Sequence, residues 1–378
     1  MSPMMRTRTV RLDRIASSTR NARLAPEVIV GPDVVAQEGF VVAVRVLEDK
    51  STYNVVEDVT GRMVRLRAGD LLAGVLGSRR ALRGYAGETP PALEVGDELH
   101  VLNLGGILGR CTSLHPDLGP PFRAELLGAV LTFPALGDRV GRPAHIRDHA
   151  VPPADSLAGR APVVYVAGTC MNAGKTVAAT ELVRGLTRSG HRVAACKLTG
   201  VALMRDTLAM SDAGAVEALT FNDAGLATTH PGASVPVAKG ILNRLMAARP
   251  DVIVAELGDG ILGDYGVQDI LADSELMGLA AAHVMCAADP VGSWGAVEIL
   301  RDRWGLPVSV VSGPATDNAV GRDYIQGSLE IPAHNALHDA AGLLGVVERG
   351  LEAWRSGADA EPAAGGAETE PAAARRSR

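Results

Sequence analysis

The chain has 378 residues, of which 47% are hydrophobic, and its formal net charge is −6. This length and apolar content allow a large buried core and favour two domains. The negative charge argues against a general binder of nucleic-acid backbones, and no run of 18 uncharged apolar residues could span a membrane. We therefore expect neither nucleic acid nor a membrane as a partner.

The cysteines and the N-terminus predict a reduced, cytoplasmic protein. No apolar signal-peptide segment follows the first positive charges, and the four cysteines show no metal-binding spacing (Cys111, Cys170, Cys196 and Cys286). No histidine lies close in sequence to Cys170 or Cys196 to activate a thiolate. We interpret both as packing residues.

The N-terminal part of the chain has the texture of β structure. Residues 1–24 predict a basic flexible arm because they carry six arginines (Arg6, Arg8, Arg11, Arg14, Arg20 and Arg23). Residues 25–134 consist of short apolar runs between turn residues, which predicts a small all-β domain, either a barrel or a sandwich. Residues 135–160 are rich in Pro and Gly without periodicity, as is typical of a linker.

From residue 161 to residue 355 the pattern changes to apolar strands alternating with helical segments, beginning with VVYVAG and continuing with RVAACKL, DVIVAEL, AAHVMCAAD and LPVSVVSG. Continuous apolar strands of this kind predict an α/β domain whose parallel sheet is covered by helices on both faces. Residues 356–378 are rich in Ala, Glu, Pro and Gly, which predicts a disordered tail.

The first of these strands leads into the stretch GTCMNAGKT, from Gly168 to Thr176. A glycine-bounded turn between a buried strand and a helix presents backbone N–H groups and a positive helix dipole to a phosphate. Lys175 could then reach the β- and γ-phosphates, and the Thr176 hydroxyl could bind Mg²⁺. The strict phosphate-loop pattern is not met, because Thr169 stands at its first glycine. An ordinary strand–turn–helix junction is the alternative.

Gly168-Thr169 followed by Gly174-Lys175-Thr176 resembles the loop of dethiobiotin synthetase, and the stretch from Asn172 through Ala173 to Lys175 is similar to that of cobyric and cobyrinic acid amide synthases. This resemblance implies a P-loop NTPase domain over roughly residues 161–313. It also implies that Lys197, at the end of the second strand, helps to position substrate and phosphate.

The same resemblance implies two metal ligands. Asp212, in Ser211-Asp212-Ala213, is similar to the aspartate that binds magnesium in this superfamily, and Glu256, at the end of the third strand, is similar to the glutamate that completes the site. Alternatives remain for each residue: Asp212 as a surface charge, Glu256 as the partner of an arginine, and Lys197 as a solvated strand end.

Two further residues and one arginine cluster are candidates from their sequence context. Asp259, in GDGILGDYG, is either a turn residue or a metal or substrate contact. His230 lies in a loop and fits a turn better than a substrate contact. Arg79, Arg80 and Arg83 suit an anionic group, or a solvated basic loop equally well.

We therefore expect an ATP- and Mg²⁺-dependent ligase or kinase, with GTP as the alternative nucleotide. As the resemblance implies, it would phosphorylate the carboxylate or carbamate of a small acidic substrate for amide or ring formation, with Lys175 and Lys197 as catalytic residues. Two other classes stay open: a nucleotide-dependent switch or carrier that delivers a cofactor or metal, and a transferase that uses acyl-coenzyme A. We expect a homodimer.

Overall fold

The computed structural model describes residues 7–360, and its N-terminal part is built from strands. These strands are β1 (Arg8–Arg11), β2 (Arg14–Ile15), β3 (Glu27–Gly31), β4 (Val41–Val46), β5 (Val55–Glu57), β6 (Met63–Arg65), β7 (Leu71–Leu76), β8 (Arg79–Arg80), β9 (Tyr85–Glu88), β10 (Glu98–Val101), β11 (Ile107–Leu114), β12 (Phe122–Thr132) and β13 (Arg142–Pro143).

Five of these strands close into a barrel. β12 pairs with β4, β4 with β7, β7 with β11, β11 with β10, and β10 again with β12, and only the β7–β11 pair is parallel. Alternate side chains of β4 enter two different cores: Val42 and Val44 fill the barrel, whereas Val41 and Ala43 face outward into a second core. Closure thus selects the barrel over the sandwich.

The predicted flexible arm is wrong for the part that the structure describes. β1 pairs with β3, and residues Ser17–Ala22 form a buried 3-10 helix. The side-chain amide of Asn21 donates to the backbone carbonyl of Asn222 (2.8 Å), and Arg20 pairs with Asp223. The arginines therefore accompany a segment that is held by distant parts of the chain. Residues 1–6 lie outside the described residues.

Residues 135–160 also pack closely against the protein, although their sequence shows no periodicity. β13 pairs with β12, and Ala144 and Ile146 are fully buried. The N–H of Val151 donates to the carbonyl of Asp223 (2.8 Å). Residues 135–160 are thus held by both the N-terminal strands and the α/β unit.

The remainder is an α/β unit, as predicted. Its strands are β14 (Val163–Gly168), β15 (Val193–Thr199), β16 (Ala218–Thr220), β17 (Val252–Leu257), β18 (Ala280–Cys286) and β19 (Val310–Ser312). They form a fully parallel sheet in the order β16-β15-β17-β14-β18-β19. The helices are α1 (Lys175–Arg188), α2 (Arg205–Asp212), α3 (Ser234–Met246), α4 (Val267–Ala272), α5 (Ser274–Met277), α6 (Pro290–Trp304), α7 (Ala319–Ser328) and α8 (Ala340–Ala360).

The two faces of this sheet are covered by different partners. On β14, Val164 and Val166 pack in the core formed with α1 and α8, whereas Val163 and Tyr165 pack on the opposite face with α3. That second core also contains Val41 and other outward-facing barrel residues. One apolar core therefore joins the barrel to the sheet.

At the C-terminal end, α8 continues to Ala360, so residues 356–360 are helical where a disordered tail was predicted. The rest of that predicted tail, residues 361–378, lies outside the described residues. Between residues 7 and 360, no helix is both long and apolar enough to cross a membrane.

Candidate functional site

The stretch from Gly168 to Thr176 joins β14, an interior strand of the parallel sheet, to α1. Asn172 and Gly174 have left-handed backbone conformations, with φ values of 65° and 91°. These two residues turn the chain so that α1 begins at Lys175, where the first backbone N–H groups have no partner within the helix. The unit has the layout of a P-loop NTPase fold.

Gly168 is required by the side chain of Lys175. A Cβ atom at residue 168 would lie 2.8 Å from Lys175 Cγ and 2.9 Å from its Cδ. The loop therefore needs its glycine at 168, and Thr169 is accommodated at the next position. Gly260 approaches the loop as closely, since a Cβ there would lie 2.5 Å from the carbonyl oxygen of Thr169.

Lys175 is buried and folds back over the loop. Its Nζ donates to the carbonyl of Cys170 (2.8 Å), and burial lowers the pKa of its ammonium group. A buried ammonium group without a carboxylate in hydrogen-bonding distance is stabilised by a bound anion. Lys175 and Ala173 are buried, while Asn172 is exposed at the rim of the loop.

Thr176, Glu256 and Lys197 meet beneath the loop. The Thr176 hydroxyl donates to Glu256 Oε1 (3.2 Å), and Lys197 Nζ lies 3.7 Å from the same oxygen. Glu256 Oε2 is buried with no hydrogen-bond partner. Burial raises the pKa of Glu256, and Lys197 offsets only part of this effect. The cluster thus contains an unsatisfied carboxylate oxygen beside a hydroxyl group.

Asp206 takes the place that the sequence suggested for Asp212. Asp206 is buried in the first turn of α2 and forms an ion pair with Lys197, whereas Asp212 is exposed at the C-terminal end of that helix. Burial opposes the charge of Lys197, but Glu256 and Asp206 outweigh it and raise the pKa of the lysine. Asp206, and not Asp212, therefore lies beside Lys197 at this site, and the order of motifs along the chain could not locate it.

Asp259 lies at the same end of β17 in a strained conformation, with φ at 71°. Burial raises the pKa of its carboxyl group, and Lys175 offsets part of this rise. A non-glycine residue in this region is uncommon and is found most often at turns and functional sites. Its position on the cavity wall favours the contact interpretation over the turn interpretation.

These residues open into a cavity of about 700 Å³ that both parts of the protein line. The N-terminal part contributes Tyr53, Arg79, Arg83, Asn103 and Leu104, and α2 contributes Arg205. Arg80 and His230 line a neighbouring cleft of about 470 Å³, together with Tyr265, which borders both. Tyr53, Asn103 and Tyr265 were missed because nothing in their local sequence marks them.

Two buried cysteines near the loop are not activated. Cys196 and Cys286 are fully buried; burial raises the pKa of both thiols, that of Cys286 to about 12. Thiols of this kind stay protonated at neutral pH. This agrees with the packing role expected for Cys196.

The residues fit a Mg²⁺·nucleotide better than a metal held by protein alone. Within residues 7–360, no group of three or more His, Cys, Asp or Glu side chains has the geometry of a metal site. Mg²⁺ usually keeps several waters and takes only one or two protein ligands beside phosphate oxygens. The unpartnered oxygen of Glu256 and the adjacent Thr176 hydroxyl match that requirement.

A comparison with protein-family profiles found no match, and neither did a comparison with curated proteins. Among solved structures, the chain resembles a DUF1611 family protein from Anabaena variabilis (14% identity, TM-score 0.37), with 55% of this chain and 64% of that one covered. The chain thus spans less than two thirds of that protein.

Two other solved structures show similarity of the same order. HypB from Helicobacter pylori, in complex with nickel, is 16% identical (TM-score 0.34), with 52% of this chain and 88% of that one covered. Chloroplast FtsY from Physcomitrella patens is 12% identical (TM-score 0.33), with 53% and 70% covered.

Proposed function

We propose that the protein is a Mg²⁺·ATP-dependent enzyme that phosphorylates the carboxylate of a small substrate for capture by an amine. The observation that carries this proposal is the cluster of Lys175, Thr176, Lys197 and Glu256, which opens into a cavity shared with the barrel. A phosphate loop alone is compatible with many nucleotide-dependent functions. A large cavity beside the loop can in addition hold a second reactant.

Each residue has a physical role in this proposal. The first-turn N–H groups of α1 and the Lys175 ammonium group would bind the phosphates, because the positive helix end and the lysine both favour negative charge. Thr176 and Glu256 would hold Mg²⁺, which would supply positive charge to neutralise the phosphates. Lys197 is held between Asp206 and Glu256, so its ammonium group is oriented before any ligand binds.

The reaction needs no side-chain nucleophile. A substrate carboxylate oxygen would attack the γ-phosphorus, the bond to the bridging oxygen would break, and ADP would leave. The amine would then attack the acyl carbon and release inorganic phosphate. Because phosphoryl transfer depends mainly on positioning and charge neutralisation, Lys175 and Lys197 would act as the protein's cationic groups. Asp259 lies on the same wall and would contact the metal or the substrate.

Calorimetry with Mg²⁺·ATP tests the nucleotide site. Lys175→Ala should weaken binding by tenfold to a hundredfold, since a hydrogen bond from a charged group is worth about 1.5–3 kcal/mol. Glu256→Gln should remove the dependence of affinity on Mg²⁺. Arg188→Ala, at the exposed far end of α1, is the matched control and should bind like the wild type. Unchanged affinity in Lys175→Ala would falsify the phosphate-loop assignment.

ADP formation tests the reaction class. The proposal predicts ADP release only when an acidic substrate is present, because the carboxylate is the nucleophile. Steady hydrolysis without any acid, accelerated by a protein partner, would instead identify a switch or carrier.

A further inference from the structure

Arg79, the first residue of β8, is a buried cation in the wall of the shared cavity. Its residue is only 7% exposed, and it borders both the larger cavity and the neighbouring cleft. The Nη1 group donates to the hydroxyl of Tyr53 (3.1 Å) and to the carbonyl of Leu102. These neutral acceptors occupy one edge of the guanidinium group and leave its charge uncompensated.

The other edge of the guanidinium group has no protein partner. Arg79 Nε is buried without a hydrogen bond, and within residues 7–360 the side-chain hydrogen bonds of Arg79 all come from Nη1. Among residues 7–360, no carboxylate forms an ion pair with Arg79. A buried charge is costly unless it is paired, and a guanidinium group on a cavity wall can donate to the oxygens of a carboxylate.

The protein holds this side chain in place. The Tyr53 ring lies 5.9 Å from the guanidinium carbon, and a Cβ atom at Gly84 would lie 2.6 Å from Arg79 Nη2. The glycine at 84 therefore makes room for the guanidinium group. Arg83, exposed at the same cavity, adds a second positive charge on the barrel side.

We propose that Arg79 binds a second anionic group of the substrate, so that the substrate is a small molecule with two carboxylates. This inference rests on the proposed function, in which the carboxylate to be phosphorylated lies at the Lys175 loop. The second carboxylate is held by the barrel and does not react. Arg79 thereby selects acids with two charged ends and orients the reacting end toward the loop.

Calorimetry with defined acids tests this assignment. The full-length protein is saturated with Mg²⁺ and a non-hydrolysable ATP analogue and titrated with succinate, glutarate and adipate, with the corresponding diamides as uncharged controls. At least one diacid should bind the wild type, and its diamide should not. Arg79→Gln should bind that diacid at least tenfold more weakly, and Arg79→Lys several-fold more weakly, because lysine keeps the charge but not the paired N–H groups.

Arg80→Gln is the matched control, since Arg80 is exposed, pairs with Asp264 and lies outside the larger cavity. Its affinity for the diacid should stay within twofold of the wild type. If Arg79→Gln does not fold, the affinity of Arg79→Lys for the diacid decides. Binding of no diacid by the wild type, or equal binding by the Arg79 variants, overturns the proposal.

The affinity for the ATP analogue alone is measured for every variant, which separates this inference from the proposed function. Arg79 variants should bind the analogue like the wild type. If the wild type binds a diacid through Arg79 but does not bind the analogue, the proposed nucleotide-dependent reaction is wrong. The assignment of Arg79 as an anion-binding residue then still stands.

Discussion

The carboxylate of Glu57, in β5 of the N-terminal part, accepts a hydrogen bond of 2.8 Å from the backbone N–H of Arg205, the first residue of α2. It also accepts one from the N–H of Met204 (2.6 Å), and Glu57 is fully buried. A negative charge at this position satisfies N–H groups that the helix itself cannot pair. The N-terminal part of the chain thus fixes the start of the helix that carries Asp206.

Replacing Glu57 should therefore loosen α2. In Glu57→Gln an amide group replaces one acceptor oxygen, which leaves a buried N–H donor unpaired and should lower the free energy of unfolding by about 1–3 kcal/mol. Urea unfolding measures this change. Glu352→Gln, on the exposed face of α8, is the control and should change stability by less than about 0.5 kcal/mol. Equal stabilities of the two variants would contradict a capping role for Glu57.

Gly168→Ala should disturb nucleotide binding through Lys175. The added methyl group would displace the lysine side chain from the loop, so we expect affinity for Mg²⁺·ATP to fall at least tenfold, about 1.4 kcal/mol. Gly295→Ala serves for comparison, because a Cβ atom there meets nothing within 4 Å. As an interior residue of α6, it should gain about 0.5–1 kcal/mol of stability without a change in affinity. Normal binding by Gly168→Ala would show that the lysine can adopt another path.

Acid should destabilise the protein partly through His283. This histidine, in β18, is buried and its ring stacks on that of Tyr165. Its Nε2 has no hydrogen-bond partner, and burial lowers the pKa of the imidazole. Protonation is thus easier in the unfolded chain, whose histidine pKa is about 6.5. The stability contributed by neutral His283 is complete above that pH and is lost as the pH falls toward the lowered pKa of the folded state.

The measurement is urea unfolding at about pH 7.5 and about pH 5.5, on either side of the ordinary histidine pKa. Between these two pH values, His283→Phe should lose less stability than the wild type, because phenylalanine cannot take up a proton. His230→Phe, in an exposed loop, should behave like the wild type. If His283→Phe retains the full loss on acidification, other groups account for it.

The barrel and the α/β unit should unfold together. Val41 of the barrel and Tyr165 of the sheet belong to the same apolar core. If one part unfolds, the apolar residues of the other part that pack in this core become exposed to water. Differential scanning calorimetry should show one transition with equal calorimetric and van't Hoff enthalpies. Two separate transitions would mean that the shared core contributes little.

The features that local sequence encodes were predicted well. β14 and the turn before Lys175 are contiguous, and their apolar run and glycine spacing fix the strand, the loop and the start of α1. Alternate side chains of β4 enter different cores, which follows from another local property, the two-residue period of a strand. The parallel sheet was predicted and is confirmed by the structure.

The features that depend on distant residues were not predicted. Arg20 was assigned to a flexible arm because its partner, Asp223, is 203 positions away, and no local pattern reveals that contact. Asp212 and Asp206 occupy the same helix, and only the packing of α2 decides which one faces Lys197. The roles of Tyr53 and Asn103 likewise depend on how the barrel lies against the sheet.

The hydrogen bond from Asn21 to the carbonyl of Asn222 has a consequence for biosynthesis. A ribosome makes the N-terminal strands first, yet their outward-facing apolar residues meet their partners only after most of the chain has been translated. The nascent barrel must therefore spend much of its synthesis with part of its surface uncovered. Contacts of such long sequence separation also slow folding, which makes this interval the stage at which the newly made chain is most exposed to aggregation.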